Sequence, residues 1–171
     1  MSDLALSFDG ETLTSDIAFG ASDLATDDGL ATAVIISLFT DARARPEDLL
    51  PDDTRAPGET IVFGSAGGNL TRYRRGWWGD LVPPPQAADA TGHRTGSRLW
   101  LLSREKQTAE TLHRAEEYAR EALQWLIADG VARAVQVEAF IPRAGWLGLR
   151  IMIDRPRNHE QFEYVWATHA V

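Results

Sequence analysis

The apolar residues of the C-terminal part of the chain change period once, and that change limits the fold more than any other feature. Between about residues 107 and 128, Leu112, Ala115, Ala119, Ala122 and Leu126 recur at steps of three and four. Such spacing predicts a long amphipathic helix with one narrow apolar seam. Tyr118 and Trp125 widen the seam on one side, and Glu110–Arg114 and Glu116–Arg120 are acid-first i,i+4 pairs for the exposed faces. Gly130, after Asp129, suits the residue that ends such a helix. From there the period is two. Val131, Arg133, Val135, Val137, Ala139 and Ile141 fall on one side of a strand, and Leu147, Leu149, Ile151 and Ile153 on one side of the next. Pro142-Arg143-Ala144-Gly145 supplies the turn between them, and Phe162, Tyr164 and Trp166 alternate in a final strand. A long helix followed by a three-stranded antiparallel meander is an α+β arrangement.

The N-terminal region is less regular. Leu4, Leu6 and Phe8 alternate as in a half-buried strand, Asp9-Gly10 marks a turn, and Ile17-Ala18-Phe19 reads as a further short extended piece. A helix is predicted from about Asp28 to Arg43, with Asp27 or Asp28 capping its start. Leu30, Val34, Ile35, Leu38 and Phe39 form its stripe, and Pro46 prevents continuation. Residues 44–95 are rich in Pro and Gly and read as an extended loop or arm, interrupted by a short Ile61-Val62-Phe63 strand and the Gly64–Gly68 turn. Ser97 is placed to cap a short helix carrying Leu99, Trp100 and Leu101. With no repeat and no second core pattern, residues 1–171 read as one domain.

Composition removes several function classes. The 171 residues carry a formal net charge of −8, the wrong sign for an electrostatic footprint on nucleic acid. There is no cysteine, so thiolate metal sites and thiol nucleophiles are absent. The longest apolar run, residues 31–39, is too short to cross a bilayer, and the N-terminus lacks the basic region of a secretory signal.

Searching for chemistry yields little. Gly64-Ser65-Ala66-Gly67 is neither a nucleophile elbow nor a phosphate loop. His93, His113, His159 and His169 have no metal-ligand spacing. The acidic pairs Asp27-Asp28, Asp52-Asp53 and Glu116-Glu117 read as a helix cap and solvated surfaces rather than as a glycosidase pair. Arg72-Tyr73-Arg74-Arg75 mixes bases and aromatics, which suits a protein contact more readily than a single strand given the acidic total charge. Trp77-Trp78 is bracketed by glycines. In an extended backbone the two rings point to opposite sides, so that one packs on the domain and the other meets a partner; the other reading folds both into the local core.

The segments Thr26–Leu30, Ile36–Asp41, Arg75-Gly76-Trp77-Trp78-Gly79-Asp80, Gly96–Lys106, Tyr118–Leu126 and Asp129–Ala132, in this order, resemble a known family. It is the Mu-type phage tail protein family named after that phage's forty-sixth gene product, and the similarity runs from about residue 20 to about residue 155. The resemblance implies a structural component of a contractile-tail baseplate, located in the virion tail and in the host cytoplasm during assembly. It is related to small wedge proteins, some labelled lysozyme-like, that join wedge to central hub and give the sheath its starting platform. The expected partners are other baseplate wedge and hub proteins and the tail sheath protein, in multiple copies of a symmetric assembly, with no nucleic acid, membrane, cofactor, metal or catalytic residue. The larger-phage relatives use a Glu-Pro-Arg motif for wedge contacts; this sequence lacks it, and Arg104-Glu105-Lys106 is not its equivalent.

Residue type and motif position then nominate Arg74, Arg75, Trp77, Trp78, Arg98 and Trp100 as interface anchors, with an internal salt bridge as the second reading of Arg98. Phe162, Tyr164 and Trp166 are nominated through the free edge that a terminal strand offers to another chain. Two rival functions remain. A peptidoglycan hydrolase would need an indispensable acid such as Glu105, Glu116 or Glu121, and a nucleic-acid-binding accessory protein would use Arg72 to Arg75.

Overall fold

A computed structural model describes residues 3–20, 23–27, 29–45, 47–48, 50–51, 75–77, 95–156 and 158–168. The predicted Ile61–Phe63 strand, the Gly64–Gly68 turn and most of the arm between residues 44 and 95 lie outside the described residues. The fold is α+β. At its N-terminal end β1 (Asp3–Leu4), β2 (Leu6–Asp9), β3 (Thr14–Ile17) and β4 (Thr26–Asp27) make two antiparallel pairs, β1 with β4 and β2 with β3. Helix α1 (Ala31–Phe39) follows, then a 3-10 turn over Leu99–Leu102, α2 (Ala109–Ala122) and α3 (Gln124–Ala128). Strands β5 (Ala134–Phe140), β6 (Trp146–Asp154) and β7 (His159–Ala167) complete the chain as an antiparallel meander in the order β5-β6-β7.

The predicted alternation sets the faces of this sheet. Val137 pairs with Ile151, Ala139 with Leu149, and Leu149, Ile151 and Leu147 with Tyr164, Phe162 and Trp166 across the second ladder. Leu147, Leu149, Ile151 and Ile153 are fully or nearly fully buried against α2 and α3, while Gln136, Glu138, Met152, Gln161 and Glu163 face solvent on the other side. Glu138, Arg150 and Glu163 lie side by side on that outer face, with Arg150 bonded to both acids.

Several boundaries differ from those predicted. Helix α1 stops at Phe39 rather than running to Arg43, because Thr40 is extended and Asp41 makes a parallel bridge with Ser97. Its start is served by Asp27, whose carboxylate accepts from the N–H groups of Gly29 and Thr32 at 2.8 Å each. Burial raises the Asp27 pKa, but those N–H groups outweigh it and hold the carboxyl below its ordinary value. Asp28, the other predicted cap, lies outside the described residues.

The long helix is really two. At Leu123 the backbone turns to φ −98° and ψ 1°, and Leu126 N–H bonds to the Leu123 carbonyl in the tighter i→i+3 manner. Leu123 and Leu126 are both fully buried, so the break falls where the chain passes under the core. The helix begins at Ala109, capped by Thr108, whose Oγ1 accepts from the Thr111 N–H. Gln107, predicted as its first residue, instead braces the β5–β6 turn: its Oε1 accepts from Gly145 N–H at 3.1 Å and its Nε2 donates to the Trp146 carbonyl at 2.7 Å. Strand β5 is shorter than predicted, leaving Val131 and Ile141 outside it. Of the two predicted helix pairs, Glu116–Arg120 forms at 2.7 Å, whereas Arg114 turns to Glu105 and Tyr118.

The N-terminal hairpin docks on the sheet through aromatic rings. Phe8 stacks on Phe39 with centroids 3.8 Å apart, and Phe39 meets Tyr164 and Trp166 edge-on. Gly10 permits this approach: the Ala167 N–H donates to its carbonyl, and a methyl added at Gly10 would lie 1.9 Å from the Val165 carbonyl oxygen.

Candidate functional site

Among the described residues, the nominated anchors that the structure gathers lie around the C-terminal end of α1. Ser97 organises the region. Its N–H donates to the Thr40 carbonyl, its carbonyl accepts from Ala42 N–H, and its buried hydroxyl donates to the Leu38 carbonyl at 2.5 Å while accepting from Leu99 N–H. The residue that caps the turn is Arg98, without a side-chain cap bond, rather than the predicted Ser97, which accepts from Leu99 and clamps two distant segments together. Gly96 makes the clamp possible: its φ is +98°, and a Cβ there would lie 2.3 Å from the Thr40 carbonyl oxygen.

Arg98 follows the clamp and points inward. Its Nη1 donates to both oxygens of Asp48 at 2.9 and 3.1 Å, its Nη2 donates to Glu121 at 2.5 Å, and its guanidinium lies 4.3 Å from the centre of the Tyr118 ring. Arg45 adds a bond to Glu121 at 3.0 Å, and its backbone N–H donates to Asp48. Burial works against the Arg98 charge, but the bonds to Glu121 and Asp48 outweigh it and raise its pKa. The geometry thus realises the internal salt bridge. With 8% of its surface exposed, Arg98 is a pin that ties Asp48 to α2 through Glu121.

Arg75 and Trp100 come together beside Asp41. The Trp100 Nε1–H donates to the Ala42 carbonyl at 2.8 Å, which fixes the ring, and the Arg75 guanidinium lies over that ring at 4.9 Å. Arg75 also bonds Asp41 at 2.7 Å, beyond the end of α1. Trp77 is next to this cluster in sequence and is 43% exposed. Arg74 and Trp78 lie outside the described residues, so the opposed-ring reading of Trp77-Trp78 has no second ring to compare.

The three aromatic residues of β7 occupy a different place. Trp166 is 5% exposed within the core, and Tyr164 and Phe162 are half-buried beside it on the inner face of the sheet. The alternation is satisfied by the chain's own core, because the same periodicity that marks an exposed edge strand also marks one face of a packed sheet. Burial, with a smaller effect from Asp27, raises the Tyr164 pKa to about 12, so its hydroxyl stays protonated. The outer margins of the sheet are partly spoken for. Glu116 accepts from the Ala139 N–H of β5 at 3.1 Å, and Gly10 accepts from Ala167 on β7. His159, Gln161 and Glu163 are the exposed stretch of the β7 margin.

The acids required by a hydrolytic reading are each held by a basic partner within the chain. Glu105 pairs with Arg114, Glu116 with Arg120, and Glu121 with Arg98 and Arg45. Among the described residues no group of three His, Asp or Glu side chains gathers to hold a metal ion, and no helix is long and apolar enough to cross a membrane. Asp41, Asp48 and Tyr118, which complete the two arginine clusters, carry no sequence signal for that role, because their partners lie tens of residues away.

Residues 30–160 match the family model described as Phage protein GP46. The chain is similar to the Baseplate protein gp46 of Escherichia phage Mu, with 44% identity over 141 residues that cover 82% of this chain and 80% of that protein. It is also similar to the Mu-like prophage FluMu protein gp46 of Haemophilus influenzae, with 41% identity over 157 residues, 91% of this chain and 89% of that protein.

Proposed function

Because the chain belongs to the Phage protein GP46 family, we propose that it is a structural subunit of a phage tail baseplate that works by presenting surfaces to its neighbours. The observation that carries this reading is the extent of similarity to a baseplate protein, over four-fifths of both chains. The site supports it physically. Among the described residues, Arg75 lies over the Trp100 ring, which Ala42 fixes, and paired Arg and Trp groups are what protein interfaces use as anchors.

In its finer form the proposal joins wedge to hub and supports the tail sheath, in multiple copies, without nucleic acid or membrane as partner. Assembly takes place in the host cytoplasm and the subunit ends in the tail. Arg74, Arg75, Trp77, Trp78 and Trp100 remain the proposed contact residues on the arm side. Phe162, Tyr164 and Trp166 act there only through the strand they support, since their rings are occupied inside the chain. No catalytic step is included. The acids named for a hydrolase, Glu105, Glu116 and Glu121, each form a salt bridge within the chain.

Loss of the gene is the direct test. Lysates from the phage or prophage that carries it, with the gene deleted, are expected to contain no complete sheathed tails by electron microscopy, and the gene supplied in trans should restore them. Normal tails without the gene would rule the proposal out.

A further inference from the structure

The net charge of the chain is confined to one end. Of its 25 acidic residues, eight lie in residues 1–42, where there is no Lys or Arg, and the other 17 equal the 17 Lys and Arg in number. The whole charge of −8 therefore belongs to the part that forms β1 to β4 and α1. The same part exposes apolar surface. Phe19 is 78% exposed, more than any other large apolar side chain among the described residues. The strand register shows what surrounds it. Leu6 lies opposite Ile17 in the β2–β3 ladder, Leu4 opposite Thr26 between β1 and β4, and Phe19 opposite Leu24 in an antiparallel bridge. Residues two apart, or opposite one another in a ladder, share a face, so Leu4, Leu6, Ile17, Phe19 and Leu24 form one apolar face. At Phe8 that face is covered by Phe39, and from there it runs out into solvent, where Leu4, Ile17 and Leu24 are exposed with Phe19.

We propose that this face docks a basic segment of a neighbouring tail protein, one that offers an apolar pocket to Phe19 beside Lys or Arg. Burial of the ring removes its surface from water. Orientation comes from charge. Asp16 and Asp23 flank the face, are exposed, and accept from the backbone N–H groups of Ile17 and Leu24 at 2.7 and 2.8 Å. Among the described residues the aspartates held in ion pairs are Asp41, Asp48 and Asp154, so neither Asp16 nor Asp23 has a basic partner there. The same charge argues against the other occupants of an apolar face: a second copy brings an equally acidic surface, and anionic lipid and nucleic acid are repelled. Little ordering is needed on docking, because Ala5, Ala18 and Ala25 already tie the three segments together through backbone bonds of 2.8–2.9 Å. This rests on the baseplate reading and adds to it a surface and the chemistry of its partner.

Three variants, followed into purified tail particles, test it. Phe19→Ser, expressed together with the parent, should be recovered in the particles about tenfold less, the equivalent of about 1.4 kcal/mol. As an exposed position, it should leave the melting temperature of the free protein within about 2 °C of the parent. The pair Asp16→Asn with Asp23→Asn keeps both backbone bonds, removes two charges and should lower recovery about threefold. Benzoyl-phenylalanine in place of Phe19 keeps an aromatic ring there. On illumination of the particles it should cross-link to another tail protein, at a segment holding Lys or Arg. Recovery of either exchange variant equal to the parent's would overturn the docking proposal and leave the baseplate role intact. Cross-links confined to this chain, or reaching a segment without Lys or Arg, would do the same. Absence of the parent protein itself from the particles would overturn both.

Discussion

Replacing Arg98 by alanine is expected to lower the stability of the free protein by about 3–5 kcal/mol, the usual cost of breaking a buried ion pair by removing one partner. Most of this cost comes from Asp48. Its side chain is only 10% exposed, and without Arg98 it would remain charged in the interior with one backbone N–H, that of Arg45, still donating to it. Glu121 is 47% exposed, so water can replace the lost guanidinium there and the contribution is smaller. A urea titration reads the difference. With a slope of about 1–3 kcal/mol per molar for proteins of small size, the midpoint should fall by about 1 M or more. The paired variant Arg98→Met with Asp48→Leu should recover most of the loss, because removing both charges removes the desolvation penalty with them. A midpoint unchanged by Arg98→Ala would show that the pin carries no stability, and the start of the arm would then be held by something else.

The second large effect is expected at Trp166, where alanine should cost about 3–5 kcal/mol, in line with other deletions of large buried rings. Trp166 is buried against Phe39 and lies opposite Leu147 in the ladder, so its loss opens a cavity between the sheet and α1. At about 2–4 °C per kcal/mol for a chain of this size, the melting temperature should fall by about 6–20 °C. Met152 supplies the control. It lies on the same sheet but on the solvent face, 40% exposed, and Met152→Ala should stay within about 0.5 kcal/mol of the parent. Equal losses at the two positions would mean that the faces of the sheet are assigned wrongly.

How far the sequence could be read depended on the range of the forces involved. The meander was legible because a period of two survives in any strand with one buried face, and Leu147 to Ile153 carry it without interruption. The seam of the helical region was legible for the same reason, but the break at Leu123 was not. Leucine is a good helix former, and only the tertiary packing of Leu123 and Leu126 places a turn there. The end of α1 was likewise invisible. It depends on Ser97 pairing with Thr40 and Ala42 across more than fifty residues of chain.

The candidate site shows the same division. Arg75, Trp77, Arg98 and Trp100 stood out by residue type and by motif, while Asp48, Asp41 and Glu121 gained their roles only from the fold. The aromatic run in β7 was nominated through the edge its strand offers; a two-residue alternation reports only that one side is buried, and here the chain's own core buries it.

The measurement closest to the central claim is the composition of the tail itself. The protein, tagged in the phage or prophage that carries its gene, would be followed through induction and particle purification, and the particles cross-linked for mass spectrometry. The account predicts stoichiometric recovery in the particles, with cross-links to other baseplate proteins. Protein that stays free in the lysate while complete tails form without it would contradict the account.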